Sequence, residues 1–303
     1  MTAPAPAHLL AIEGMARDSI LALLERAAIH KRAMGQTARA TPLAGQVVAN
    51  LFFEDSTRTR SSFEIAAKLL GAEVLNWTAK GSSTSKGETL LDTVRNIDAM
   101  RPVAMVIRHS SSGAPTLVSR HVGCAVVNAG DGTHEHPSQA LLDAFTLREA
   151  FGSLEGRTVT IVGDILHSRV ARSNLHCLKA LGATVVACGP PTMLPEGLEE
   201  LGCRVTSDLG SALEGADAVM MLRIQLERQS ESLLPSAREY AHLYGLSQAR
   251  ASKLKKGAVV LHPGPINRGV EMGTEVADGP QSVILSQVEN GVAVRMAILE
   301  ACA

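Results

Sequence analysis

The stretch FFEDSTRTRSSFE, residues 52–64, decides how the first half of the chain is interpreted. It begins at the end of an apolar run, residues 46–54, and leads into a run with helical periodicity. Ser56 stands where a helix N-cap is expected, and the N–H groups from Thr57 to Thr59 would be exposed at the positive end of the helix dipole. The stretch therefore predicts a buried strand followed directly by a helix, the start of a β–α–β unit.

The same residues are also suited to binding an anion. Exposed N–H groups and the hydroxyls of Ser56, Thr57 and Thr59 are donors that a phosphate site needs. Arg58 can add two parallel hydrogen bonds to one oxyanion, whereas Arg60 lies further into the helix and is expected to be structural. A capped helix with solvated arginines is the alternative, because Ser and Thr caps are common, and the residues alone leave both interpretations open.

The rest of the chain alternates short apolar runs with longer helical segments. Most of the apolar runs are continuous rather than alternating, which is typical of strands buried on both faces of a parallel sheet. The predicted strands are 46–54, 72–77, 103–108 and 124–129, then 158–163, 184–189, 203–206, 217–222 and 258–263. The predicted helices between them include 59–70, 88–100, 137–150 and 169–181. This pattern predicts an α/β fold with two doubly wound domains, each having a central, mainly parallel sheet.

A loop bracketed by glycines, FGSLEGRTVTIVGD at 151–164, marks the expected boundary between these domains. We therefore predict one domain over residues 1–150 and a second over 151–285. The last helix, about 286–303, is expected to pack back on the first domain. The charged, weakly periodic segment 223–256 is expected to be a loop with a short helix.

Polar and basic residues follow the strands in both halves. Because ligands of open α/β sheets bind at the carboxyl ends of the strands, this convergence predicts an active site in a cleft between the two domains. The residues that follow strands are Ser56 to Arg60, Arg108 and His109, Gly130 to His136, Gly163 to Arg169, Arg223 to Gln225, and His262 to Pro265.

Several of these residues allow more than one interpretation. His134 and His136 are spaced as two zinc ligands could be, but each could equally be an acid–base group, a donor to a carbonyl oxygen or a surface histidine. Arg169 and Arg223 suit a ligand with two carboxylates, or ordinary ion pairs. The loop that starts SSTSKG, residues 82–92, reads by itself as a flexible surface loop.

Composition and missing motifs exclude other classes. The 303 residues carry a net charge of −1 and only 3% aromatic residues, so neither bulk attraction to nucleic acid nor base stacking is expected. The chain has no GxxxxGK[ST] loop, no GxGxxG fingerprint after a strand and no GxSxG elbow. The five cysteines form no CxxC pair, and no signal peptide or membrane span is recognised, so a cytoplasmic protein with reduced thiols is expected.

Taken in order, seven blocks resemble the catalytic chain of bacterial aspartate carbamoyltransferases over nearly the whole length. They are FFEDSTRTRSSFE, SKGETLLDT, VIRH, HEHPSQALLD, GDILHSRVARSN, LRIQLER and HPGPINRG. Ornithine carbamoyltransferases are the alternative, but they carry an HCLP block and a DxWxSMG-like block, where this chain has HPGP and no counterpart. Two departures from the family are mild: Ser138 stands where Thr is usual, and Leu166 where a small residue is usual.

The resemblance implies a role for each matched residue. Carbamoyl phosphate would be bound by Ser56, Thr57, Arg58, Thr59, Arg108, His136, Gln139, Gly264 and Pro265. Of these, Arg58, Thr59, Arg108 and His136 would act on the reacting group. Aspartate would be bound by Lys86, Arg169, Arg223 and Gln225, and a neighbouring subunit would contribute Ser82 and Lys86. Glu54 is expected to pair with Arg169 or Arg228.

The implied reaction transfers the carbamoyl group of carbamoyl phosphate to the amino group of L-aspartate, in pyrimidine biosynthesis. Neither metal nor cofactor is expected, because carbamoyl phosphate is already activated. The resemblance implies a catalytic homotrimer, and a larger assembly with regulatory or dihydroorotase-like chains is compatible with it. An ornithine-specific enzyme and a catalytically inactive scaffold are the alternatives.

Overall fold

The computed structural model describes residues 8–36, 39–78, 88–224 and 236–303. The chain divides into two compact units, and the divisions fall inside two long helices, Pro137–Phe151 and Ile284–Cys302. Unit 1 comprises Met1–Phe145 and Glu289–Ala303, and unit 2 comprises Thr146–Val288. The last turns of the C-terminal helix therefore belong to the unit that contains the start of the chain.

Unit 1 contains a sheet of four parallel strands in the order β2–β1–β3–β4. Its elements are α1 (Arg17–Ala33), β1 (Val47–Phe52), α2 (Thr57–Leu69), β2 (Glu73–Thr78), α3 (Leu90–Asp98), β3 (Ala104–His109), α4 (Ala114–Ser119), β4 (Ala125–Asp131) and most of α5 (Pro137–Phe151). Strands β1, β3 and β4 are buried almost throughout, as their continuous apolar sequences require. The edge strand β2 is exposed or half-buried along its whole length.

Unit 2 contains five parallel strands in the order β7–β6–β5–β8–β9. Its strands are β5 (Thr158–Val162), β6 (Thr184–Cys188), β7 (Arg204–Thr206), β8 (Ala218–Met221) and β9 (Val259–Leu261). Its helices are α6 (Arg169–Ala180), α7 (Leu209–Leu213), α8 (Ala237–Tyr244), α9 (Gln248–Ala251), α10 (Thr274–Ala277) and the start of α11 (Ile284–Cys302). Short 3-10 turns occupy Pro191–Met193 and Leu198–Leu201.

These elements confirm the predicted α/β class, with two doubly wound units. Each of the nine predicted strands is present, and the helices expected at 59–70, 88–100, 137–150 and 169–181 begin and end within about two residues of the prediction. A capping box explains the start of α3, since the Thr89 hydroxyl accepts from the Asp92 N–H and the Asp92 carboxylate accepts from the Thr89 N–H. The described part of the segment 223–256 forms two helices, α8 and α9, rather than one.

Both sheets have an order that reverses direction once. In unit 1 the chain moves from β1 outward to β2, then crosses to β3 on the other side of β1. In unit 2 it moves outward from β5 through β6 to β7, then returns to β8 beside β5. The loops that leave β1 and β3, and those that leave β5 and β8, therefore run in opposite directions, and a crevice forms at each of these switch points.

Helix α11 packs on α1 within unit 1 through polar contacts. Lys31 Nζ donates to Asn290 Oδ1 at 2.6 Å, and His30 Nε2 lies 2.6 Å from Glu300 Oε2. Arg26 adds a 3.0 Å contact to the same glutamate. These bonds join the first helix to the last, although the two are separated by most of the chain.

None of the helices in the described ranges has the length and hydropathy needed to span a membrane. All five cysteines are free thiols. Burial raises the pKa of Cys188 to about 12, and that of Cys302 likewise, so both are unreactive thiols rather than nucleophiles.

Asp217 joins the amino ends of three strands in unit 2. Its carboxylate accepts from the N–H of Thr158 at 2.8 Å, from Arg157 Nη1 at 2.9 Å and from Lys255 Nζ at 2.6 Å. Its backbone O accepts from the N–H of Val259, the first residue of β9. Burial opposes its ionisation, but the hydrogen bonds from Lys255, Thr158 and Arg157 outweigh burial and hold the pKa of Asp217 below its ordinary value.

We predict that Asp217→Asn lowers the free energy of unfolding by about 1–3 kcal/mol near neutral pH. Because the pKa is lowered in the folded state, this stabilisation is present above the ordinary aspartate pKa of ~3.9 and disappears as the pH falls through the lowered value. Urea denaturation followed by circular dichroism should therefore show a smaller difference between variant and wild type near pH 3 than near pH 7.

Asp278→Asn is the matched control, since Asp278 forms a surface ion pair with Arg268 and its side chain is 59% exposed. Surface pairs contribute at most about 1 kcal/mol, so this variant should change stability little at either pH. An Asp217→Asn effect of equal size at both pH values would contradict the assignment.

Candidate functional site

The switch point of unit 1 lies between the ends of β1 and β3. Phe52, the last residue of β1, pairs in register with Arg108. The next N–H, that of Phe53, donates to the Arg108 carbonyl at 2.9 Å. The pairing of β3 with β4 is irregular between Ile107 and His109, and such a bulge changes the direction of the side chain that it contains. Arg108 thus stands at the crevice, next to the connection from β1 to α2.

Helix α2 begins at this crevice, as the sequence predicts. Ser56 is the N-cap residue with an extended backbone, but its hydroxyl makes no capping hydrogen bond. Thr57 and Arg58 are exposed, whereas the side chain of Thr59 is buried. A helix start with a hydroxyl that is not used for capping, further threonine hydroxyls and a guanidinium provides donors of the kind that a phosphate needs.

Arg108 is held by two acceptors inside unit 1. Its Nη2 donates to Glu54 Oε1 at 3.1 Å, and its Nη1 donates to the Ala129 carbonyl at 3.3 Å. The Arg108 side chain is only 12% exposed, so these bonds fix its direction. Glu54 was expected to pair with Arg169 or Arg228; its contact with Arg108 was not foreseen, and Arg228 lies outside the described residues.

The loop from β4 to α5 is organised by Asp131, which is 1% exposed. Its carboxylate accepts from the N–H of Gly113 at 2.6 Å, from Asn128 Nδ2 at 2.7 Å and from the N–H of Glu135 at 3.2 Å. The bonds come from both sides of the loop, and they place His136 directly before the first residue of α5.

His136 directly precedes α5, Gln139 lies in its first turn, and both are largely buried. The Gln139 N–H donates to the His136 carbonyl at 2.9 Å. The Gln139 side-chain amide donates from Nε2 to Asp143 Oδ1 at 2.9 Å. This bond sets the amide orientation so that the carbonyl oxygen of the side chain points away from Asp143 and can accept a hydrogen bond from a ligand.

Arg295 of α11 is a buried cation in the same unit that the sequence did not single out. Its guanidinium lies over the Phe63 ring of α2 at 5.1 Å, and its Nη1 donates to the Gly291 carbonyl. Burial lowers the pKa of Arg295 to about 10; the carboxylate of Asp143 opposes this change, whereas Arg58 adds to it. A single arginine within the apolar run 292–299 was the available signal, and it becomes meaningful only when α11 packs against α2.

One group of potential metal ligands comes together among the described residues: Glu13, His134 and Glu135, with ligand atoms within 4.8 Å of one another. Both oxygens of Glu135 accept backbone hydrogen bonds, from Ile12 and Glu13, at 2.9 Å. His134 Nδ1 lies 3.1 Å from Asp131. The arrangement is therefore explained by its role in attaching the N-terminal segment to this loop.

The switch point of unit 2 lies between the ends of β5 and β8. Gly163 follows β5 with a φ of 140°, and a Cβ there would lie 2.8 Å from the Leu222 Cβ, so only glycine fits. Asp164 then accepts from the N–H of His167, which turns the chain into α6. Arg169, the first residue of α6, is 4% exposed.

Arg223 follows β8 on the other side of this crevice and is half-buried. The next residue, Ile224, donates its N–H to Glu271 Oε1 at 2.8 Å. The N–H and Nδ2 groups of Asn267 donate to the same carboxylate at 2.8 and 2.7 Å. The pKa of Glu271 is raised by burial, and the N–H donors oppose the rise. Sequence reasoning did not identify Glu271, because it lies far along the chain from Arg223.

The HPGP block follows β9, the strand next to β8. The His262 N–H donates to Gln287 Oε1 at 2.9 Å, and its Nδ1 accepts from the N–H of Gly264 at 2.7 Å. The Gly264–Pro265 peptide bond is cis, and Pro265 is exposed. The remaining predicted site residues, Ser82, Lys86 and Gln225, lie outside the described residues.

Two family profiles cover nearly the whole chain. The one described as "Aspartate/ornithine carbamoyltransferase, carbamoyl-P binding domain" matches residues 7–149. The one described as "Aspartate/ornithine carbamoyltransferase, Asp/Orn binding domain" matches residues 155–302.

Individual relatives belong to the same family as these profiles. The chain is 70% identical over 295 residues to an aspartate carbamoyltransferase catalytic subunit of Myxococcus xanthus, covering 97% of this chain and 99% of the relative. It is 61% identical over 294 residues to one from Anaeromyxobacter, covering 96% and 94%. A crystal structure of Trypanosoma cruzi aspartate transcarbamoylase in complex with N-(phosphonacetyl)-L-aspartic acid superposes with a TM-score of 0.90 at 31% identity, covering 99% of this chain and 97% of that one. The chain therefore belongs to the aspartate/ornithine carbamoyltransferase family, and the two relatives described above are aspartate carbamoyltransferase catalytic subunits.

Proposed function

We propose that the chain transfers the carbamoyl group of carbamoyl phosphate to the α-amino group of L-aspartate, giving N-carbamoyl-L-aspartate and phosphate. The observation that carries the proposal is the pair of arginine-bearing switch points. In unit 1, Arg58 lies at the start of the helix that follows β1, and Arg108 lies at the end of the neighbouring β3; in unit 2, Arg169 and Arg223 follow β5 and β8. One crevice suits a phosphate and the other a dicarboxylic amino acid.

Carbamoyl phosphate is bound, on this proposal, at the start of α2. The phosphate accepts from the N–H groups and hydroxyls of residues 56–59 and from the guanidinium of Arg58. Gln139 accepts from the carbamoyl amide through its side-chain oxygen, an orientation supported by the bond from its Nε2 to Asp143. The backbone carbonyls of Gly264 and Pro265 accept from the same amide.

The reaction is driven by positioning and by charge stabilisation. As the amine attacks the carbamoyl carbon, negative charge develops on the carbonyl oxygen, and Arg108, His136 and the Thr59 hydroxyl donate to it. Arg108 needs no reorganisation at this step, since Glu54 and Ala129 already fix it. The leaving phosphate takes the amine proton, so no protein general base is assigned. Because carbamoyl phosphate is already activated, the mechanism requires no cofactor.

Aspartate is bound through its two carboxylates by Arg169 and Arg223, together with Gln225 and Lys86. We further propose that the enzyme acts in pyrimidine biosynthesis in the cytoplasm, which the free thiols at all five cysteines support.

A homotrimer is part of the proposal, with Ser82 and Lys86 entering the site of a neighbouring subunit. Supporting it, β2 is an edge strand with large apolar side chains exposed nearby: Leu75 of β2 is 38% exposed and Ile65 of α2 is 49% exposed. Exposed apolar residues beside an open sheet edge are typical of a surface that another chain covers. Ser82 and Lys86 follow β2 closely in the sequence.

The first test separates the alternatives by substrate. Purified protein is assayed with carbamoyl phosphate and either L-aspartate or L-ornithine as acceptor, and N-(phosphonacetyl)-L-aspartic acid is added as inhibitor. We expect turnover with aspartate, at least ~100-fold discrimination against ornithine, and tight inhibition, because ornithine lacks the second carboxylate and adds a cation. Preference for ornithine would favour the ornithine enzyme, and no turnover with either would favour the inactive scaffold.

The second test concerns the two arginines of α2. Arg58→Ala should reduce kcat/KM by at least ~100-fold, the usual cost of removing a donor to a reacting anion, whereas a lost helix cap is worth only ~1 kcal/mol. Arg60→Ala is the matched control, since it removes the same side chain two positions further along α2 and should reduce kcat/KM by less than about fivefold. Wild-type turnover by folded Arg58→Ala protein would refute the phosphate role.

The third test concerns the shared site. Arg58→Ala and Lys86→Ala chains, each inactive alone, are denatured together and refolded. Mixed trimers contain interfaces at which one chain supplies Arg58 and its neighbour supplies Lys86, so part of the wild-type activity should return. Mixing Lys86→Ala chains with the double variant Arg58→Ala/Lys86→Ala is the control, because no intact interface can form. Inactivity of both mixtures, with mixed trimers demonstrated, would contradict the shared site.

A further inference from the structure

Glu271 forms a buried junction at the second switch point. Its side chain is completely buried, and its carboxylate accepts three hydrogen bonds of 2.7–2.8 Å, from the backbone N–H groups of Ile224 and Asn267 and from Asn267 Nδ2. Asn267 Nδ2 also lies 3.2 Å from the Ile224 carbonyl. A buried carboxylate is costly unless hydrogen bonds compensate, so these three donors and the carboxylate depend on one another.

This junction begins just after the chain leaves β8 and its last hydrogen bond to the sheet. The last bond that joins the end of β8 to β5 runs from the Leu222 N–H to the Val162 carbonyl, at 2.8 Å. Two residues later, Ile224 is 1% exposed and bonds through its N–H to Glu271. Arg223 therefore lies between two fixed points of the backbone. The sheet supplies one of them and the Glu271 side chain supplies the other.

Only a carboxylate satisfies all three donors. Both of its oxygens accept, and Oε1 takes two of the bonds while Oε2 takes the third. Glutamine in this position would keep one accepting oxygen but would direct an NH₂ group at another N–H donor. The main chain at this position has separate support, because the Leu246 N–H donates to the Glu271 carbonyl at 2.9 Å. A side-chain substitution therefore leaves that backbone pairing in place.

We propose that Glu271 is a positioning residue for substrate binding: by fixing Ile224 it holds the Arg223 guanidinium in the direction that meets an aspartate carboxylate. The inference rests on the proposed function, since it deepens the role given there to Arg223. Glu271 itself does not touch the substrate. A displacement of about 1 Å in a positioning group can cost up to ~100-fold in rate, so the junction has a measurable effect on binding.

A purely structural role for Glu271 predicts a change in stability without a change in the aspartate KM, and Asp217 provides the comparison. Asp217 is also a buried carboxylate of unit 2 that accepts from a backbone N–H, but it lies at the amino end of β8, away from the switch point. If Glu271 only stabilised the fold, Glu271→Gln and Asp217→Asn would both lower the melting temperature and leave the aspartate KM unchanged. Electrostatics alone would even lower this KM, because Glu271→Gln removes a negative charge near an anion site.

The experiment measures KM for each substrate and the melting temperature for Glu271→Gln, Asn267→Ala, Asp217→Asn and Arg223→Ala. For Glu271→Gln we expect the aspartate KM to rise at least ~10-fold while the carbamoyl phosphate KM stays within about twofold. Asn267→Ala removes both hydrogen bonds of the Asn267 side-chain amide and leaves the Glu271 carboxylate in place. It should therefore raise the aspartate KM about two- to fivefold. If Glu271→Gln fails to fold, Asn267→Ala still tests whether the junction affects aspartate binding. Asp217→Asn should lower the melting temperature with both KM values within about twofold.

An unchanged aspartate KM in folded Glu271→Gln, or equal changes in both KM values, would overturn the inference. The Arg223→Ala variant separates this failure from a failure of the proposed function. If Arg223→Ala raises the aspartate KM and Glu271→Gln does not, the inference alone is wrong. If neither changes it, the role proposed for Arg223 is wrong.

Discussion

The reversal of strand order in each parallel sheet is the constraint on which the site depends. In a parallel sheet the carboxyl ends of all the strands lie at the same end of the sheet. The connections that follow the strands cover that end unless two neighbouring connections run in opposite directions. This happens once in each unit, between β1 and β3 and between β5 and β8. Arg58 and Arg108 flank the first crevice, and Arg169 and Arg223 flank the second.

Buried and half-buried carboxylates then fix the groups that the crevices bring together. Glu54 and the Ala129 carbonyl direct Arg108, Asp131 organises the loop ahead of His136, and Asp143 orients the amide of Gln139. Each of these acids is held in a poorly solvated place by N–H donors, so the acid and its donors stabilise one another only in one arrangement. Preorganisation of this kind is what a reaction without a cofactor requires, since the protein supplies only placement and charge.

The course of the chain was predictable from local patterns, whereas the contacts that orient the site were not. Short apolar runs between turn residues identified the nine strands, and most of these runs are continuous because strands buried on both faces have no polar side to interrupt them. The positions of Arg58, Arg108 and Arg169 after strands were likewise visible. Glu54 was expected to pair with Arg169 or Arg228; its contact with Arg108, 54 residues away, was not expected. Glu271 contacts Ile224, 47 residues away, and Arg295 contacts Phe63 across most of the chain. Contacts between residues so far apart leave no periodic pattern in the sequence.

By itself, then, the sequence determined the two α/β units, the order of their elements and the family, since each follows from residue types and spacings within short windows. The tertiary structure decided which strands became neighbours, and therefore which loops met at an opening. It also decided that the Ser56 hydroxyl does not cap α2, and that Arg108 is held by Glu54. These outcomes depend on burial, because a charged or polar group loses its water only when distant segments close around it, and the partner that replaces the water is set by packing.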